Sequence, residues 1–112
     1  MTPLECAEAQ FHAYNARDLD AFLACFAEDV AGFSLPDMAP LLSGKAAYGT
    51  FYATQRFNRA ELRAELLNRI VMGNKVIDHE LIHGLGPEPM ETTIMFVVEH
   101  GLIAKVFSIP LK

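Results

Sequence analysis

The chain has 112 residues, 52% of them hydrophobic and 21% charged, with a formal net charge of -5. That length suits one domain, residues 1–112, with a genuine core, and the acidic balance argues against nucleic acid or an anionic membrane surface as partner. No apolar run approaches a membrane span, and "MTPLECAEAQ" lacks the basic start and long apolar core of a secretory signal, so a cytoplasmic protein is expected.

The first elements read as helices. Thr2, Pro3 and Glu5 make a capping box with proline at the first helical position, and Leu4, Ala7, Phe11 and Tyr14 recur at helical spacing. Asp18 is placed to cap a second helix whose Leu19, Phe22, Leu23 and Phe26 form one apolar stripe. Cys6 and Cys25 form neither a disulfide framework nor a CxxC pair and read as buried thiols. "GFSLPDMAP", with two prolines and a glycine, excludes regular helix. A third helix is expected from near Ser43 to about Phe57, carrying Tyr48, Phe51 and Tyr52.

The second half reads as sheet. "ELRAELLNRIVM", "GN" and "KVIDHELIH" make a hairpin whose Gly73 suits a type II′ turn. "METTIMFVVE", "HG" and "LIAKVFSI" make another, rich in β-branched and aromatic residues. The class is therefore α+β, helices first and an antiparallel sheet after them.

One motif points elsewhere. "HELIH", His79 to His83, matches the H-E-x-x-H of zinc proteases. There the two histidines stand one helical turn apart and share one ion. On a strand, residues four apart lie roughly 13 Å apart and cannot share one. The motif begins shortly after the Gly73-Asn74 turn, and Pro89 stands where the longer protease pattern wants its third histidine. A strand is therefore expected and a zinc hydrolase is not; no metal or cofactor is assigned.

"FHAYNARDLDAFLACFAEDV", "SGKAAYGTFYATQRF", "VMGNKVIDHELIHG" and "VVEHGLIAKVFSI" together resemble the nuclear transport factor 2-like superfamily, in its SnoaL-like and ketosteroid isomerase-like branch. The resemblance runs from about Cys6 to Ile109. It implies a cone: three helices leaning on a curved antiparallel sheet around an apolar pocket, often in a homodimer. Members include isomerases, cyclases, hydrolases and non-catalytic modules, so the fold does not choose among them. The isomerase catalytic set is absent. Gln10 stands in place of its first-helix tyrosine, Ser34 in place of its general base, and about Met95 in place of its protonated aspartate. The arginine and two aspartates of the limonene-epoxide hydrolases fall near Glu80, Ile82 and Ser108.

Strand parity supplies the remaining candidates. A Gly73-Asn74 turn pairs Arg69 with Asp78 and puts Glu80 on the same face, which the resemblance turns toward the pocket. Arg69, Asp78 and Glu80 are thus the candidate catalytic residues, with Glu80 the acid that holds a transferable proton. Counting the second hairpin evenly puts Met95, Val97, Ala104, Val106 and Ser108 on one face and Phe96 and Phe107 on the other. Candidate ligand-binding residues are Tyr14, Ser34, Tyr48, Tyr52, Met95, Val97, Val106 and Ser108. The expected ligand is a small apolar molecule. The expected homodimer uses the outer sheet face of Ile70, Ile77, Leu81, Phe96 and Phe107.

Overall fold

The computed structural model describes residues 1–111; Lys112 lies outside the described residues. Helix α1 spans Pro3–Ala16. At its start the Glu5 amide donates to Thr2 Oγ1 (3.1 Å) and the Thr2 amide donates to Glu5 Oε1 (2.8 Å), closing the capping box. Arg17 ends it in the left-handed region (φ 53°), returning its amide to the last turn. Helix α2, Leu19–Leu23, begins where Asp18 accepts from the Ala21 amide. Helix α3 is Lys45–Gln55.

Six strands form one sheet: β1 Phe26–Ser34, β2 Ala39–Ser43, β3 Arg63–Met72, β4 Lys75–His83, β5 Met90–Glu99 and β6 Leu102–Pro110, in the order β2-β1-β6-β5-β4-β3. Both expected hairpins are present. Gly73 alone has positive φ in the first turn, as a type II′ turn requires. His100 and Gly101 both have positive φ in the second, the type I′ signature. Strands β1 and β2 were not expected. Phe26 starts β1 instead of completing the α2 stripe, and "GFSLPDMAP" is strand, turn and strand. Strand β1 pairs with β6 in parallel, so the sheet is mixed and not purely antiparallel.

The helices cover one face. Helix α1 lies over β3 to β6, while α3 lies over β1 and β2. Strand β4 shows the result most simply, with Val76, Asp78, Glu80 and Ile82 buried and Ile77, His79, Leu81 and His83 partly exposed. Within the core Tyr14, Phe22, Phe26, Tyr48, Tyr52 and Phe57 pack, tilted or edge to face, into one aromatic cluster.

Bulges displace the counted parity in both hairpins. Leu66 pairs with Glu80 and Asn68 with His79, so Leu67 is extra and swings into solvent. In the second hairpin Val98 pairs with Ile103 but Val97 with Lys105, leaving Ala104 unpaired. From there inward every β5 residue is opposite the neighbour of its expected partner. Phe96 pairs with Val106 and enters the core, while Met95 pairs with Phe107. Phe96 is thus corrected from the outer face to the inner, and Met95 and Val97 from inner to outer.

Strand β3 is a sheet edge, and Asn15 closes part of it. Its Nδ2 donates to the Ala64 carbonyl (3.0 Å) and its Oδ1 accepts from the Ala64 amide (2.7 Å), as a neighbouring strand would. Asn15→Ala is expected to cost about 2 kcal/mol, because both backbone groups lose their partner at a buried residue. Denaturant unfolding measures the loss; an unchanged midpoint would contradict this role.

Candidate functional site

Between the helices and the inner sheet face lies a cavity of about 560 Å³. Its walls are mainly apolar and aromatic. Tyr14 and Phe22 come from the first two helices, Tyr48 and Tyr52 from α3, and Ile82, Ile94, Phe96 and Val106 from the sheet. Polar residues reach it from several elements: Gln10 from α1, Ser34 from β1, Glu80 from β4, Glu91 and Thr92 from β5, Ser108 from β6, and Arg56 after α3. Ser34 pairs with Ser108 across the parallel β1–β6 junction, which brings both into one wall.

Six of the eight expected ligand-binding residues therefore line the cavity: Tyr14, Ser34, Tyr48, Tyr52, Val106 and Ser108. Met95 and Val97 do not, because the bulge at Ala104 turns them outward. Their places are taken by Ile94 and Phe96. Even counting on a strand has no means of detecting one extra residue on the partner, so these were missed. Arg56 was missed because nothing in "TQRFNR" separates a cavity arginine from a solvated one.

The three candidate catalytic residues divide. Asp78 is 0% exposed and takes two hydrogen bonds from Arg69, Nε to Oδ1 at 2.7 Å and Nη2 to Oδ2 at 2.9 Å. Arg69 also lies 3.9 Å from Glu8 of α1. This fork-to-fork pair satisfies both Asp78 oxygens, and neither residue touches the cavity. Asp78 and Arg69, expected at the catalytic site, thus stand behind Glu80 on the hairpin and outside the cavity lining.

Glu80 does touch the cavity, at 4% exposure. Its partners across the strands are Leu66 and Thr92, which carry no charge. Burial raises its pKa to about 7; repulsion from Asp78 adds to the rise, and Arg69 opposes it. The arrangement keeps one carboxyl poised to hold or release a proton near neutrality. In the same cavity, burial also keeps the Tyr14 and Tyr48 phenols protonated far above their usual range, so each has a hydroxyl proton to donate. Tyr48 reaches its position because Gly32 of β1 has no side chain, and a Cβ there would collide with the tyrosine hydroxyl.

The H-E-x-x-H residues separate by strand parity. Glu80 faces inward, while His79 and His83 face outward. His79 Nε2 lies 2.8 Å from Glu91 and His83 Nε2 lies 2.9 Å from Glu65. Each imidazole has its own carboxylate partner on a different neighbouring strand. Cys6 and Cys25 are free and buried, and burial raises both thiols. No helix among the described residues is long and apolar enough to cross a membrane.

Known proteins share this architecture. The family described as the SnoaL-like domain matches residues 7–106. A candidate polyketide cyclase from Sinorhizobium meliloti superposes with a TM-score of 0.78 at 24% identity, covering 93% of this chain and 93% of that one. A candidate ketosteroid isomerase from Kribbella flavida gives 0.81 at 20% identity, over 96% of this chain and 76% of that one. A computationally designed 17-OHP binder gives 0.80 at 20% identity, over 96% and 93%. No curated protein matches the chain. Identities this low carry the fold and leave the chemistry to the side chains.

Glu80 links stability to pH. Its ordinary value is 4.5 and its folded value about 7, so the folded state binds the proton more tightly. Stability from this group is therefore fullest below about pH 4.5 and falls as pH rises to about 7, by up to ~3 kcal/mol. Glu80→Gln, which carries no titrating charge, is expected to gain on wild type as pH rises from about 5 to 8. Urea unfolding at both pH values measures this; a constant difference between the two proteins would rule it out.

Proposed function

The chain belongs to the SnoaL-like domain family, and from that premise we propose that its cavity receives a small, mostly apolar molecule on which Glu80 moves a proton. The reaction class is isomerase, lyase or hydrolase. The observation that carries this reading is Glu80 itself: a carboxyl buried in an apolar cavity, with the Arg69 cation on its strand face already held by Asp78. Such a group costs stability, and a catalytic acid or base near neutrality is what that cost provides. Asp78 and Arg69 serve by keeping a fixed negative charge beside Glu80.

A second reading, a binding cone without turnover, is favoured by Gln10 and Ser34. They line the cavity at the positions where the isomerase resemblance wants its tyrosine and its general base. The designed 17-OHP binder supports it too, since that protein of the same fold is described only as a binder. The two readings separate in one experiment. Apolar acids, ketones and steroids are screened by thermal shift, and stabilising compounds are then followed for conversion. Glu80→Gln is expected to keep binding and to lose turnover by roughly 10²–10⁴-fold. Stabilising compounds that are never converted would favour the second reading, and conversion untouched by Glu80→Gln would remove Glu80 from the mechanism.

The proposed assembly is a homodimer through the outer sheet face. Ile70 is 53% exposed there, and Ile77, Leu81, Met95 and Phe107 are partly exposed around it. The His79–Glu91 and His83–Glu65 pairs lie on the same face. A reducing cytoplasm suits the two buried thiols. Sedimentation at micromolar concentration is expected to show a dimer that Ile70→Lys dissociates; a wild-type monomer would refute the assembly.

A further inference from the structure

The cavity holds one cationic side chain among its described lining residues, Arg56. It follows the last residue of α3, and its guanidinium carbon sits 4.9 Å from the centroid of the Phe51 ring. One nitrogen, Nη1, donates to the Gln55 carbonyl at 3.1 Å. The ion pairs among the described residues engage Lys45, Arg69, His79 and His83, not Arg56. A guanidinium has five N–H donors, so most of Arg56's remain for another acceptor. The aromatic face fixes its plane in advance, which lowers the entropy lost when it binds an oxyanion.

The surroundings extend the donor set. The phenols of Tyr14 and Tyr52 belong to the same wall, their rings 6.2 Å apart and edge to face. Both feel the positive charge of Arg56 and the negative charge of Glu80, whereas Arg56 is not among the charges acting on Glu80. Arg56, Tyr14, Tyr52 and Glu80 thus line one cavity.

We propose that Arg56, with Tyr14 and Tyr52, forms an oxyanion-recognition subsite, so that the ligand is an apolar body bearing a single carboxylate or comparable anionic group. The ligand's anionic end rests on Arg56, its body lies along the aromatic wall, and its far end reaches Glu80. This proposal rests on the cavity being a ligand site and adds the substrate class: small apolar organic acids, as distinct from neutral ketones or alcohols. A merely structural Arg56, closing the end of α3, would make no distinction between charged and neutral ligands.

Two fluorescent probes of similar shape test it: anilinonaphthalene sulfonate, which is anionic, and phenylnaphthylamine, which is neutral. The chain has no tryptophan and three tyrosines, and all three tyrosines line the cavity, so their quenching reports entry. Wild type is expected to bind both dyes. Arg56→Gln is expected to weaken the sulfonate about tenfold or more, the scale of a hydrogen bond to a charged group, while leaving the neutral dye unchanged. Arg56→Lys is expected to recover part of the loss. Equal effects on both dyes, or none on either, would overturn the anion subsite while leaving the cavity a ligand site. Failure of both dyes to quench wild-type tyrosines would overturn the ligand-site reading and this proposal with it.

Discussion

A carboxylate wholly removed from water persists only if a partner replaces every hydrogen bond it gave up. Asp78 meets that condition through the two parallel bonds from Arg69. The pairing requires Arg69 and Asp78 to be opposite each other, which the Gly73 turn arranges at the end of the same hairpin. It also requires a cover, which α1 supplies through Glu8 beside the guanidinium. Once Arg69 is committed in this way, Glu80 has no ion-pair partner among the described residues. Two residues further along the same strand face, it meets the cavity.

The cavity itself follows from placing aromatic rings on short helices above a sheet that bulges. Phe22 and Phe26 pack as tilted rings 4.8 Å apart, and Phe22 and Tyr52 4.7 Å apart, so α2, β1 and α3 share one aromatic floor. Gly32 lets Tyr48 lie against β1, and across the Ala104 bulge Phe96 pairs with Val106 and faces the same cavity. The result is apolar volume with a few polar groups at separate points. Such a cavity binds by shape and selects by where those groups stand.

The outer face obeys a different constraint. His79 and His83 alternate with Glu80 and Ile82, so the residues that spell a zinc motif in the sequence are split between two sides of the sheet. Geometry makes them two imidazole–carboxylate pairs in place of one metal site.

Local chemistry was legible in the sequence. The Thr2 and Asp18 caps, the Gly73 turn, the Arg69–Asp78 pairing and the strand character of His79 to His83 all depend on residues within about ten positions of each other. Their energies are set by nearest neighbours, so spacing alone determined them. The helices-then-hairpins order followed from these, whereas the inward side of Glu80 and part of the cavity lining came from the family resemblance. Three things were decided only by the tertiary structure. Strand β1 exists because β6, some seventy residues later, offers it a parallel edge; no local pattern in "FAEDVAGFS" outweighs the helix before it. The bulges at Leu67 and Ala104 exchange inner for outer residues because a sheet that bends over helices needs an extra residue on one strand, and the sequence does not mark which. Arg56 enters the cavity, and Glu80 is left without a partner there, because chain segments far apart in sequence meet around one empty volume whose charges no local reading can sum.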